Sequence, residues 1–165
     1  MKYLFLIATV VFASCSHSYY IVRHAEKASA SANMMSSDVP LSDQGKARAE
    51  ALKDVLKNKK IRYVFSTNFI RTKSTVQPTA DYFNLQTEIY GPTPDAAFIS
   101  KLKSLKRNVL VVGHSNTVDD VVNMLCGKTE VNGDLKESDY DNLFIVKKKG
   151  KHYIFTNEHY GAATH

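Results

Sequence analysis

Two cysteines in 165 residues, Cys15 and Cys126, are too few for a disulfide scaffold or a closed cysteine-rich zinc site. Seven glycines and four prolines form no glycine-rich nucleotide cradle, and no linker or internal repeat stands out. Acidic residues are also few. Sixteen Asp and Glu face 22 Lys and Arg, for a net charge of +6 and a pI near 9.2, which favours an anionic partner without implying nucleic acid. No apolar run is long enough to span a bilayer. What is present, 44% hydrophobic and 23% charged residues, is the composition of one compact domain with a real core.

The longest apolar run, Tyr3–Ala13 after Met1-Lys2, has the length of a signal-peptide core. Residues 1–14 therefore read as a leader cleaved before Cys15, since Ala13-Ser14-Cys15 resembles a bacterial lipoprotein site whose cysteine is lipidated. An ordinary secretory signal and a retained first strand are the alternatives. On the lipoprotein reading the protein is exported to the cell envelope, periplasmic or surface-exposed, and anchored to the membrane.

Downstream, strand-like and helix-like segments alternate. Tyr19–Val22 is a short β-rich run, and 28–37 has neither period, which predicts a loop beside a strand end. Ser42 can cap a helix carrying Ala49, Leu52, Val55 and Leu56 on one face. Tyr63–Ser66 predicts a second strand; Val76, Ala80 and Phe83 predict a helix from Phe69 that Pro78 should kink or break. Thr87–Tyr90 predicts a third strand, and Pro94 opens a helix with Phe98, Leu102 and Leu105 as its stripe. Asn108–Val112 is apolar enough to be central and buried on both faces. Val118, Val121, Val122 and Leu125 predict a helix directly after Gly113-His114, and two last strands flank a hairpin at 148–151. The pattern predicts an α/β three-layer sandwich over 19–158, with a mostly parallel central sheet and helices on both faces.

In such a sheet the ligand crevice lies beyond the carboxyl ends of the strands. The first strand runs into Arg23-His24-Ala25-Glu26-Lys27, the second leads through Ser66-Thr67-Asn68 to Arg71-Thr72, and the central one ends in Gly113-His114-Ser115-Asn116-Thr117. Two arginines and two histidines reach one edge, with helix N-termini beside them. Guanidinium forks and helix-end N–H groups both match tetrahedral oxyanions, so the set reads as a phosphate site, with Thr67 and Asn116 as further substrate contacts.

These three motifs, in order and at the expected strand ends, resemble the histidine phosphatase (phosphoglycerate mutase-like) superfamily, in its small single-domain branch. The resemblance implies that His24 is the nucleophile that becomes phosphohistidine and that Arg23, Arg71 and His114 hold the transferring phosphoryl group. Ala25 stands where the family usually has Gly. The residues agree: neutral imidazole is nucleophilic near pH 7, and Arg23, Arg71 and a protonated His114 would meet the phosphoryl charge with no cofactor and no metal. The expected activity is hydrolysis of a small phosphorylated substrate by a monomer. Removal of phosphate from protein phosphohistidine, and a catalytically weak phosphate-binding lipoprotein, are the rivals.

A phosphomonoester leaving group wants a proton donor. Related phosphatases carry one right after the second histidine, where this chain has Ser115, or after the third strand, where Glu88 and Asp95 are nearest; Glu26 is a local alternative. The remaining histidines, His17, His152, His159 and His165, lack metal-ligand spacing and are expected at the tail and surface, while Cys126 is expected as a packed thiol. Finally, Lys57, Lys59, Lys60, Arg62, Lys101, Lys103, Lys106 and Arg107 cluster where helices should end, opposite the crevice. With a lipid on Cys15 that edge would meet anionic headgroups; favourable helix-end electrostatics is the competing explanation.

Overall fold

A computed structural model describes residues 16–29 and 38–164. The leader, Cys15, most of the 28–37 loop and His165 lie outside the described residues.

Ten elements alternate along the chain. They are β1 (Ser16–Arg23), α1 (Asp43–Leu56), β2 (Ile61–Thr67), α2 (Ile70–Phe83), β3 (Thr87–Tyr90), α3 (Ala96–Ser104), β4 (Asn108–Gly113), α4 (Val118–Cys126), β5 (Asn142–Lys149) and β6 (His152–His159). One six-stranded sheet runs in the order β3-β2-β4-β1-β5-β6. The β3, β2, β4 and β1 ladders are parallel, while β5 and β6 pair antiparallel at one side.

Period-2 alternation sorts the central strands into two cores. Tyr19 and Ile21 of β1, with Val109 and Val111 of β4, pack against Phe98, Leu102, Val121 and Leu125 of α3 and α4. Tyr20 and Val22, with Leu110 and Val112, pack against Leu52, Leu56, Val76 and Ala80 of α1 and α2. Both faces of β1 and β4 are thereby dry, which is why these strands read as continuous apolar runs. Each buried aliphatic side chain contributes about 1.5–3 kcal/mol, so the two strands anchor whatever is attached to their ends.

The local signals hold with small shifts. Ser42 caps α1, its Oγ accepting from Gly45 N–H at 3.1 Å. Gly45 also lets α1 approach the 24–27 segment, because a Cβ there would sit 2.3 Å from the Glu26 carbonyl oxygen. Asp95, one residue after Pro94, caps α3. Pro78 does not break α2, which runs unbroken from Ile70 to Phe83. His17 is a correction: it is buried inside β1, its Nε2 3.1 Å from the Tyr19 hydroxyl.

Candidate active site

Parallel pairing sets the centre of the site. Arg23 on β1 is the register partner of Gly113 on β4, and His24 N–H donates to the Gly113 carbonyl at 2.9 Å. His24 and His114 therefore leave two adjacent central strands side by side, with ring centroids 5.6 Å apart at an interplanar angle of 67°.

His24 is 3% exposed, and its Nδ1 lies 2.8 Å from the Ala25 carbonyl oxygen. A carbonyl only accepts, so Nδ1 carries the proton and Nε2 carries the lone pair. Burial, together with the Arg23, Arg71 and His114 side chains, pushes the His24 pKa down to about 3 despite the opposing hydrogen bond to Ala25. The segment is braced from α2, where Thr75 Oγ1 accepts from Ala25 N–H at 2.9 Å and donates to the Arg71 carbonyl at 2.7 Å.

His114 is held by a chain of hydrogen bonds. Its Nε2 is 2.9 Å from Thr67 Oγ1, which contacts Thr72 Oγ1 at 3.0 Å; Thr72 in turn donates to the carbonyls of Thr67 and Phe69. The Thr72 proton is used on the carbonyls, so Thr67 donates to Thr72 and accepts from His114 Nε2–H. Nδ1 then bears the lone pair, and it faces Arg71 Nη2 at 3.4 Å. Burial first, then Arg71 and Arg23, lower the His114 pKa to about 4. The structure thus holds His114 as a neutral Nε2–H tautomer.

The two arginines differ. Arg71 stacks its guanidinium over the Phe69 ring at 4.4 Å, and Phe69 meets His114 edge-on at 5.0 Å. Asp38 steers it from the other side, 3.5 Å from Nη1, while also accepting Ile70 N–H at the start of α2 at 2.8 and 3.0 Å. Arg23 does not present the free fork expected of it. Its Nη1 donates to the Lys136 and Glu137 carbonyls at 2.8 and 3.1 Å, and its Nη2 to Glu137 Oε2 at 2.9 Å. Nε, buried and without a hydrogen-bond partner, and the second Nη2–H remain to meet a ligand. Arg23 instead secures the 136–140 segment, whose Tyr140 ring lies 4.1 Å beneath its guanidinium and 6.1 Å from His24.

Each expected proton donor has another employment. Glu26 is buried and takes Arg48 Nε on both oxygens at 2.8 and 2.9 Å; Arg48 continues to the carbonyls of Tyr160 and Ala162. Glu88 pairs with Lys101 at 2.6 Å on edge strand β3, and Asp95 caps α3 by accepting from Phe98 N–H at 2.7 Å. None therefore points a free carboxyl at the histidine pair. Thr67 contacts His114 directly; Asn116 is exposed in the turn between β4 and α4. The sequence reading missed Asp38, Phe69, Glu137 and Tyr140, which sit on loops or turns without a motif of their own. Among the described residues no group of three or more His, Cys, Asp or Glu side chains forms a metal site.

Residues 19–90 match the sequence profile of the histidine phosphatase superfamily (branch 1). No curated protein sequence matches the chain. Among solved structures, a protein histidine phosphatase SixA complexed with tungstate superposes with a TM-score of 0.68 at 23% identity, over 86% of this chain and 96% of that one. A phosphoglycerate mutase from Bacillus anthracis gives 0.60 at 14% identity, over 88% and 93%. A putative α-ribazole-5′-P phosphatase from Escherichia coli gives 0.63 at 15% identity, over 88% and 96%. Over residues 19–90, the stretch that carries Arg23-His24 and Arg71, the chain is thus similar to the histidine phosphatase superfamily, and its fold is shared with the solved structures above.

Proposed function

We propose that this protein is a phosphatase that hydrolyses a small phosphomonoester through a phosphohistidine on His24. The observation that carries the reading is the fixed tautomer of His24: Nδ1–H is tied to Ala25, which leaves the Nε2 lone pair free, and burial keeps it unprotonated at neutral pH. Nε2 forms a bond to phosphorus as the bond to the leaving oxygen breaks, and that oxygen takes its proton from solvent. Water then attacks phosphorus, the P–N bond breaks, and inorganic phosphate leaves with neutral His24 restored.

Arg71 supplies the main fork for the phosphoryl oxygens, and Arg23 Nε adds one donor. An arriving phosphate dianion would also raise the His114 pKa from about 4, and protonation of Nδ1 would convert that atom from an acceptor into a donor as charge accumulates. Catalysis is then positioning plus electrostatics supplied by the protein itself, which is the basis for proposing turnover without a divalent cation.

The engagement of Glu26, Glu88 and Asp95 elsewhere favours substrates whose leaving group departs with little proton assistance. That observation keeps a second reading in view, dephosphorylation of protein phosphohistidine, whose P–N bond is labile. Parallel assays with an aryl phosphate, an alkyl phosphate and a phosphohistidine peptide test both. Turnover of the aryl ester with labelled phosphate trapped on His24 supports the first; turnover of the peptide alone selects the second. Inertness toward all three would leave a phosphate-binding protein.

A further inference from the structure

At the edge opposite the histidines, Lys60, Arg62, Lys106 and Arg107 surround a cleft of about 330 Å³. All four are exposed, and none forms an ion pair among the described residues. Of the other cations expected at this edge, Lys57 lies 3.7 Å from Asp54, Lys101 pairs with Glu88, and Lys103 donates to the Met124 carbonyl. Arg107 Nη1 donates only to the neighbouring Lys106 carbonyl at 3.2 Å, and Lys59 lends its carbonyl to the turn without lining the cleft, so four cations without a carboxylate partner face one concavity.

Helix-end electrostatics does not account for them. The dipole acts within the last turn, whereas α1 is capped at Lys57 and α3 at Leu105, so all four lie beyond their helices. The cleft is also built rather than incidental. Asn108 accepts from Ser18 N–H at 2.8 Å through Oδ1 and donates to the Lys59 carbonyl through Nδ2, fixing the turn in which Lys60 adopts a left-handed φ of 51°. Buried His17 lines the same wall, held by the Tyr19 hydroxyl, which donates to the Leu102 carbonyl.

Two further observations name the occupant. Ser16 lines the cleft, so the preceding chain, with Cys15 and the apolar run Tyr3–Ala13, joins the fold there. Lys149 is the register partner of Ser16, so the exposed Lys149 and Lys151 of the β5–β6 hairpin extend the positive surface along the same edge. A basic surface beside a hydrophobic or lipidated segment suits a bilayer better than a single soluble anion.

We propose that this cleft binds the phosphates of anionic lipid headgroups and holds the amino-terminal edge of the sheet against a membrane. The eight residues of β1 span roughly 25 Å at about 3.3 Å each, so His24 then faces away from the lipid. That separation exceeds the screening length of about 8 Å at physiological salt, and the two edges work independently.

The test is flotation of the full chain with phosphatidylglycerol–phosphatidylcholine vesicles and with phosphatidylcholine alone. The neutral vesicles measure apolar insertion; the difference between the two measures the cleft. Lys60→Gln/Arg62→Gln/Arg107→Gln should abolish most of that difference, about 10²-fold in partitioning, and leave hydrolysis of a soluble aryl phosphate unchanged. The charge-matched Lys46→Gln/Lys73→Gln/Lys136→Gln variant should retain it. Equal losses in both variants would reduce the effect to net charge and overturn the proposal. So would equal binding to both vesicle types. Cleft amide shifts with inorganic phosphate, without vesicle binding, would make this a soluble-anion site and overturn the membrane assignment.

Discussion

Thr67 Oγ1 lies 2.9 Å from His114 Nε2, so one hydrogen bond ties the carboxyl end of β2 to the residue that follows β4. The bond selects the Nε2–H tautomer and aims Nδ1 at Arg71. Orientation of the second histidine is therefore set by a strand that does not carry it.

Thr67→Val should remove that acceptor and strand a buried donor, at a cost of about 1–3 kcal/mol. We expect kcat/KM to fall roughly tenfold or more, with Thr67→Ser restoring most of it. A shifted acid limb in the pH profile of the Val variant distinguishes lost orientation from general loosening. Wild-type rates in the Val variant would show that the bond does not serve the reaction.

His24→Asn should eliminate turnover while preserving the fold, because the side chain sits past the end of β1 and outside both apolar cores. Wild type quenched in alkaline denaturant, where a P–N bond survives, should carry labelled phosphate on His24. Label on a serine or cysteine would refute the mechanism.

Arg71→Lys replaces a planar fork with a point charge and loses the stack on Phe69. A drop of about 10²-fold in kcat/KM is expected, the scale for losing an aimed electrostatic donor. EDTA should leave the wild-type rate unchanged; a metal requirement would show up as lost turnover restored by added divalent cation.

Acid should destabilise the fold through the two histidines. Both have folded pKa values near 3 to 4, below the ordinary 6.5, so between these limits the unfolded chain binds more protons than the folded one. Their contribution is complete above pH 6.5 and is lost as pH falls toward 4 and then 3. Urea midpoints should decline across that window, and less so for His114→Gln. Identical slopes for variant and wild type would mean that His114 is not held neutral.

The buried Glu26–Arg48 pair gives a prediction that separates structure from chemistry. Arg48→Met leaves the Glu26 carboxylate without its guanidinium and frees two carbonyls, a loss of about 3–5 kcal/mol. Glu26→Gln should lower the urea midpoint as well, yet leave kcat for an alkyl phosphate ester within about twofold below the transition, which a proton donor would not permit.

The sequence by itself determined the layer order, because hydrophobic period is a property of neighbouring residues. The apolar run at Asn108–Val112 announced a central strand, and the spacing of Val118, Val121, Val122 and Leu125 announced α4 behind it. It also determined that Arg23-His24, Arg71 and His114 would stand at strand ends, since an α/β alternation delivers every such residue to one edge. Which atoms those residues spend, and on what, was decided only by the tertiary structure. Arg23 is bound to a segment more than 110 residues away, Glu26 to Arg48, and Asp38 to the start of α2. Side chains of the same type were equally available for catalysis or for bracing, and no local pattern separates the two. The choice follows from which charge is buried beside which: a desolvated group must take the partner that packing places within hydrogen-bond reach, and that neighbour is assigned by the fold.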